Sequence, residues 1–295
     1  MKKDVLKPYG QLDVLHYYSK TASKLQNFLK NKEIAAKNWI PGSFMPYLIK
    51  RGSKLEPLFA DEFKNVDDKF LKIRAEVESL KDARSSLNLV QAKLWDYFLP
   101  RKLSDFFYAA NSENPGKPID RIFYDIDRGK NITPGQAQET VKIFIETIKK
   151  DRNFSKLLKY KFFIMWTGSS FHVYLILSKP VSHGFYDKHI KYSKDNPLGS
   201  FTGRWAEIVK KKTKLNVIGG HEKSGSKINI DPSQTPSGKL ARAPFSLHMK
   251  DAKNVDGIAI PLSEKQLNDK NLVKKLKKYT PEKVLSELDA LSKNL

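Results

Sequence analysis

The chain has 295 residues, 40% of them hydrophobic, which is enough to bury a core, and its lack of cysteine excludes disulfides, iron–sulfur clusters and structural zinc held by thiolates. A formal net charge of +22 favours a polyanionic partner such as nucleic acid, although a lysine-rich composition also reflects genome and habitat. The sequence contains no apolar run of about 18 residues and no apolar N-terminal segment, so we expect a soluble, intracellular protein without a membrane partner.

Residues 1–112 are predicted to form a helix-rich N-terminal region. Apolar residues recur at spacings of three and four in segments 28–40, 69–83 and 87–99, which is typical of helices with one buried face. No pattern in this region indicates chemistry. Its simplest interpretation is a wall of helices that supports a catalytic core, and the alternative is a face that binds a partner.

A β-rich core is predicted for residues 113–262, after a loop rich in asparagine, proline and glycine. Its first strand, RIFYDID, alternates in such a way that Asp125 and Asp127 share one face. The run Thr133–Gln136 then supplies an N-cap, a first-turn proline and a capping box, which predict that a helix follows.

The remainder of the core reads as further strands with one helix among them. Segments 161–166 and 171–177 are predicted to be adjacent strands joined by a tight turn, and segments 227–231 and 241–249 to be shorter β structure. Residues 198–214 predict a loop and a helix. We therefore expect an α+β fold built on a mixed sheet.

Residues 263–295 are predicted to form a helical C-terminal tail. This segment is rich in lysine and has a helix break at Thr280-Pro281. Because lysine dominates its surface pattern, we expect the tail to be solvated.

Asp125 and Asp127 are the first residues that indicate chemistry. Two carboxylates on one face of a strand could jointly hold a pair of divalent cations, an arrangement that serves phosphoryl and nucleotidyl transfer. Asp231, at the end of segment 227–231, could add a third carboxylate, or it could start a turn before Pro232. A single Asp-x-Asp pattern is expected by chance about once in a chain of this length, so the pair alone is a weak signal.

His172 follows the turn Thr167–Ser170. Backbone N–H groups, two serine hydroxyls and an imidazole at this turn could form a cradle for phosphate oxygens, although a lone histidine is more often structural. Further along, Arg242 and His248 lie on either side of a proline-centred bend and could grip a triphosphate. A solvated arginine and an ordinary strand edge are the alternatives, and the segment by itself does not decide between them.

Taken in order, the motifs YDID, TGSSFHVYL, NID and LARAPFSLH resemble those of the archaeo-eukaryotic primase superfamily, over residues 122–260. The resemblance implies an RRM-like sheet flanked by helices. It also implies that Asp125, Asp127 and Asp231 bind two Mg²⁺ or Mn²⁺ ions. The residues that it implies for nucleotide binding are Gly168, Ser169, Ser170, His172, Arg242, Ser246 and His248.

The function implied by this resemblance is that of a DNA primase catalytic subunit. Such a subunit makes short primers on single-stranded DNA from NTP or dNTP, with a large subunit as its expected partner. The second motif departs from that of replicative small subunits, because Ser169 and Ser170 stand where basic residues are usual. A primase-polymerase for end-joining repair or lesion bypass, such as the polymerase domains of bacterial end-joining ligases, is therefore the alternative. A non-catalytic module that binds single strands through aromatic stacking is another.

Overall fold

The computed structural model describes residues 13–77, 79–222 and 224–295, and the fold is mixed α+β, as the sequence predicts. The strands are β1 (Ile34–Trp39), β2 (Tyr47–Arg51), β3 (Ser104–Ala109), β4 (Ile119–Arg128), β5 (Tyr160–Trp166), β6 (Phe171–Val181), β7 (Val217–Gly219), β8 (Ile228–Asp231), β9 (Leu240–Arg242), β10 (Leu247–Met249), β11 (Val255–Ile258) and β12 (Ile260–Leu262). The helices are α1 (Val14–Leu25), α2 (Asp68–Glu76), α3 (Leu80–Ala83), α4 (Leu89–Tyr97), α5 (Pro134–Lys150), α6 (Arg152–Leu157), α7 (Phe201–Thr213), α8 (Leu272–Leu276), α9 (Pro281–Ser286) and α10 (Leu288–Ser292). None of these helices has the length and apolar character needed to cross a membrane.

The central sheet has six strands in the order β12-β5-β6-β4-β8-β7, and only the β7–β8 pair is parallel. Helices α5 and α7 cover one of its faces. There Phe144 and Trp205 pack against Tyr124 of β4, with ring centroids 5.0 and 6.3 Å from its own. Because side chains alternate along a strand, the aspartates of β4 emerge on the opposite face.

The helix predicted after β4 is confirmed as α5. Thr133 Oγ1 accepts a hydrogen bond from the Gln136 N–H at 3.2 Å, and the Gln136 side chain accepts one from the Thr133 N–H at 2.8 Å. This capping box satisfies donors that the first helical turn leaves unpaired. The buried stripe of α5 includes Ala137, Val141, Phe144, Ile145 and Ile148.

A second sheet, in the order β2-β1-β3-β9, joins the N-terminal region to the core. Phe107 of β3 lies opposite Arg242 of β9, so this sheet crosses the boundary expected near residue 112. The helix predicted for 28–40 was wrong, because β1 runs between β2 and β3 there. Its first three residues are all buried, and a short apolar run of this kind does not distinguish a doubly covered strand from a helix. Helices do occur in the other two segments: α2 and α3 in 69–83, and α4 in 87–99.

The C-terminal tail is helical, and Thr280 caps α9 as the predicted break implies. The expectation that the tail is solvated was wrong. Leucines and a valine between its lysines are buried, and α9 and α10 pack against α1 while α10 also contacts β12. The buried residues are Leu267, Leu272, Leu276, Val284, Leu288 and Leu291. The apolar face of the tail therefore belongs to the core, while its lysines point to solvent.

Candidate active site

Asp125 lies in a row of paired residues that crosses the central sheet. Its register partners are His172 on β6 and Asp231 on β8, so the three side chains emerge on the same face. His172 Nε2 is 3.5 Å from Asp125 Oδ1, and the imidazole meets the Phe123 ring edge-on at a centroid distance of 4.7 Å. Antiparallel pairing thus unites side chains that are far apart in the sequence.

Asp127 and Asp231 share a neighbour that the sequence did not reveal. His221 Nδ1 lies 3.8 Å from Oδ2 of each of these carboxylates, and the His221 side chain is 53% exposed. This histidine follows β7, whose parallel pairing with β8 carries it to the site. No residue spacing in the sequence indicates that pairing. On the other side, the N–H and hydroxyl of Ser233 both donate to the Asp231 carboxylate at 2.9 Å.

The carboxylates in this cluster repel one another. Removal from water and the neighbouring carboxylates of Asp127 and Asp231 raise the pKa of Asp125 well above its ordinary value, although Arg242 opposes the shift. Burial also raises the pKa of Asp127, against the lowering effect of His221. Within the described ranges no lysine or arginine forms an ion pair with any of the three aspartates. The cluster therefore carries negative charge that the protein only partly neutralises.

A hard divalent cation suits these donors. Carboxylate oxygens are the ligands that Mg²⁺ and Mn²⁺ prefer, and a bound cation would remove the repulsion within the cluster. In the part of the chain that the structure describes, no three acidic or histidine side chains are already arranged as a closed metal-binding group. Cysteine, the usual ligand of structural zinc, is absent from the sequence.

The turn between β5 and β6 packs directly against His248. Gly168 in this turn has a φ of +105°, a conformation that strongly favours glycine. His248 Nδ1 donates to the Thr167 carbonyl oxygen at 2.9 Å, which assigns the imidazole proton to Nδ1 and leaves Nε2 for other contacts. The turn and the strand that carries His248, predicted separately as parts of a phosphate grip, are therefore adjacent.

The two serines of the turn are held in different ways. Ser170 is buried, and its hydroxyl donates to the carbonyl of Ile126 in β4. Ser169 is half-buried, and its carbonyl accepts a hydrogen bond from Arg128 Nε at 3.0 Å. These bonds fix the turn to the strand that carries Asp125 and Asp127. The O–H group of Ser170 is therefore already engaged in a hydrogen bond within the protein.

His172 and His248 are neutral at pH 7. Burial, followed by the positive charge of Arg242, lowers the pKa of both imidazoles from the ordinary value of 6.5, and that of His172 falls well below it. A neutral imidazole can donate or accept a hydrogen bond but supplies no positive charge. Of the predicted grip residues, only Arg242 therefore brings a cation to the site.

Arg242 is anchored by a buried acid that the sequence did not single out. Its Nη1 lies 2.6 Å from Oδ1 of Asp105, whose side chain is 1% exposed, and its guanidinium stacks over Phe107 at 4.9 Å. Ser246 is fully buried and accepts from the same Nη1 at 3.2 Å. In this arrangement Ser246 supports Arg242 and is not open to a ligand. No local sequence pattern singles out Asp105, because it lies in a buried and mostly apolar strand.

No family model and no curated protein sequence matches the chain. Among solved structures, it is similar to the one described as "Polymerase Domain from Mycobacterium tuberculosis Ligase D in complex with DNA". The TM-score is 0.59 at 16% sequence identity, and the match covers 95% of this chain and 91% of that one. The two chains share a fold. At this identity the likeness concerns the fold alone, but at 95% coverage it extends well beyond the motif-bearing core of residues 122–260.

The contact between Gly168 and His248 leads to a prediction about stability. A Cβ at position 168 would lie 2.8 Å from the His248 Cβ, whereas one at Gly116, which has a φ of +76°, meets no atom within 4 Å. We expect Gly116→Ala to cost about 1 kcal/mol through backbone strain, and Gly168→Ala to cost about 2–4 kcal/mol because overpacking adds to that strain. Urea unfolding of the two variants measures the difference. If the two variants lost the same free energy of unfolding, the close packing of Gly168 against His248 would be contradicted.

Proposed function

We propose that the chain is a metal-dependent, DNA-directed nucleotidyltransferase of the primase-polymerase type, and a member of the archaeo-eukaryotic primase superfamily. The observation that carries the proposal is the row across the central sheet. It brings Asp125 and Asp231 into register, with Asp127 on the same face of β4. A non-catalytic binding module has no need of three mutually repelling carboxylates at one place.

In this proposal Asp125, Asp127 and Asp231 hold two Mg²⁺ or Mn²⁺ ions. When bound, the ions supply Lewis-acid stabilisation of the attacking 3′-hydroxyl and of the triphosphate. Arg242 then contributes its charge to the triphosphate, and the Nε2 atom of His248 contributes a hydrogen-bonding group. The turn at Gly168 brings its backbone close to the same imidazole, which supports a role for the turn and for Ser169 in nucleotide binding.

The fold is at least as compatible with extension of an existing primer as with synthesis of a new one. One solved structure to which the chain is similar is a ligase polymerase domain, and the match covers 91% of that chain. Ser169 and Ser170 also stand where replicative primases have basic residues. We therefore favour a primase-polymerase that acts on primed or gapped DNA, with synthesis of primers for DNA replication as the second candidate. A large-subunit partner stays a prediction.

A comparison of DNA substrates separates the two candidates. The purified chain would be given labelled NTP or dNTP with either a gapped duplex or an unprimed single strand, in Mg²⁺ or Mn²⁺. We expect the gapped duplex to be extended at least tenfold faster. Short products formed equally well on the unprimed strand would identify a primase instead. The same reactions show whether ribonucleotides or deoxyribonucleotides are preferred.

The charge of +22 predicts how DNA binding depends on salt. Each phosphate neutralised by lysine or arginine releases counterions, so affinity falls steeply with ionic strength. We expect the Kd for single-stranded DNA to rise at least tenfold between about 50 and 200 mM salt. Fluorescence anisotropy with a labelled oligonucleotide measures this change. A Kd that does not depend on salt would remove the electrostatic basis of the proposal.

A further inference from the structure

One edge of the first half of β5 is left open by the strands that the structure describes. On one side β5 pairs with β6 along its whole length, from Tyr160 to Trp166. On the other side β12 covers only the second half, where Leu262 lies opposite Ile164 and Ile260 opposite Trp166. Within the described residues, no strand pairs with Tyr160–Phe163 on that second side.

The backbone groups at this edge can be assigned from the hydrogen-bond pattern. The Ser178 N–H donates to the Lys159 carbonyl, and the Thr167 N–H donates to the Ser170 carbonyl, both at 2.9 Å. Hydrogen-bonded and non-bonded pairs alternate in an antiparallel ladder, so the odd-numbered residues of β5 bond to β6. The N–H and C=O groups of Tyr160 and Phe162 therefore point to the open edge. Such a row of unpaired groups is a template for an additional strand.

A groove of about 520 Å³ lies along the same edge. Its walls combine apolar surface from Leu158, Tyr160 and Phe162 with the side chains of Lys149, Lys159 and Lys161, and Glu264 is the one acid that lines it. Lys149 already forms an ion pair with Glu264, so Lys159 and Lys161 are the cations left for a ligand. Both of these lysines are exposed.

This groove lies at the far end of the sheet from the carboxylates. Met165 of β5 is opposite His172, which is opposite Asp125, whereas Tyr160 is opposite Leu177. Five residues along a strand correspond to about 17 Å. A ligand in the groove would therefore leave the row that contains Asp125 open to nucleotide and DNA.

We propose that this edge of β5 binds an acidic, extended segment of a partner protein, which adds to the central sheet as a seventh strand next to Tyr160 and Phe162. The positive charge beside this edge determines which kind of segment can bind there. Lys159 and Lys161 repel a second copy of a chain with a net charge of +22, which protects the edge from self-association, but they attract acidic side chains. Apolar residues alternating with the acids would pack on Tyr160 and Phe162.

The probe for this proposal is a fluorescein-labelled ten-residue peptide in which glutamate alternates with valine, added to the full chain. We expect saturable binding, with at least a tenfold weaker Kd for the Lys159→Glu/Lys161→Glu variant. The matched control is Lys211→Glu/Lys212→Glu on α7, which makes the same change in net charge elsewhere and should leave the Kd within about twofold. Equal weakening in both variants would mean non-specific attraction and would overturn the proposal.

Amide hydrogen exchange tests the strand geometry itself. In the free chain the N–H groups of Tyr160 and Phe162 should exchange quickly, while those of Lys161 and Phe163 are protected by β6. The peptide should protect Tyr160 and Phe162, and a peptide N-methylated on alternate residues should not. Peptide binding without this protection would overturn the proposal, and protection of the same two amides by single-stranded DNA would reassign the groove to nucleic acid.

Discussion

Replacing Asp125 with asparagine is expected to abolish nucleotide incorporation and, in metal-free protein, to raise the melting temperature. The loss of activity, at least about 10³-fold, follows from removing a carboxylate that would hold the cations for transfer. The gain in stability follows from the repulsion among Asp125, Asp127 and Asp231. Because the pKa of Asp125 is raised in the folded chain, its ionised form costs stability at neutral pH, and asparagine removes that cost.

The pH dependence of this effect has a defined sign. A raised pKa in the folded state means that the protonated form of Asp125 stabilises the fold, and that this contribution is lost as the pH rises through the raised value. The stability gained by Asp125→Asn should therefore shrink as the pH falls toward the ordinary value of 3.8. Thermal unfolding in EDTA at neutral pH should give a melting temperature higher by about 2 °C or more.

The control for Asp125→Asn is Glu139→Gln, the same carboxylate-to-amide change at an exposed position of α5. We expect it to change neither activity nor melting temperature. An inactive Asp125→Asn variant with a lower melting temperature would mean that Asp125 is a structural residue. Adding Mn²⁺ should raise the melting temperature of the wild type more than that of the variant, because only the wild type retains the full set of ligands.

The second large effect is a loss of stability when Arg242 is replaced. Its partner Asp105 is almost fully buried, and it also accepts hydrogen bonds from Trp39 Nε1 at 2.6 Å and from the Met249 N–H at 3.2 Å. Arg242→Met would leave this carboxylate without its cation. Breaking a buried pair in this way costs about 3–5 kcal/mol, and urea unfolding should show a loss of that size. Replacing both residues, as Arg242→Met/Asp105→Asn, should recover part of the loss.

A surface pair provides the comparison for Arg242. Lys211 lies 3.6 Å from Glu207 on α7, and its side chain is 74% exposed. Lys211→Met should change the free energy of unfolding by no more than about 1 kcal/mol, because exposed ion pairs contribute little. If the Arg242 and Lys211 variants lost the same amount, the Asp105 pair would not be the anchor described here. A stable Arg242→Lys variant should still bind nucleotide more weakly, since lysine lacks the planar fork of donors.

The parts of the fold that could be predicted were those specified by local patterns. The alternation in β4 was enough to put Asp125 and Asp127 on one face, and the residues at Thr133–Gln136 were enough to begin α5. Strand β1 was missed because a strand buried on both faces has no alternation, and the spacing of its apolar residues also fits a helix. The packing of the tail against the core was not predicted, because lysines dominate its sequence pattern and the buried leucines lie between them.

Parts of the candidate site depend on pairings that no local pattern encodes. His221 reaches Asp127 and Asp231 only through the parallel register of β7 and β8, and Asp105 reaches Arg242 only because β3 pairs with β9. Such contacts join residues far apart in the chain. Their chemistry becomes visible only when the sheet order is known.

Incorporation of a labelled nucleotide onto a gapped duplex, with Mn²⁺ or with EDTA, is the decisive test of whether the three aspartates catalyse nucleotidyl transfer. For the wild type we expect extension of the primer in Mn²⁺ and none in EDTA. For Asp127→Asn we expect no extension in either, with DNA binding retained. Failure of the wild type to extend any DNA that it binds, or extension that persists in Asp127→Asn, would contradict a catalytic role for the three aspartates.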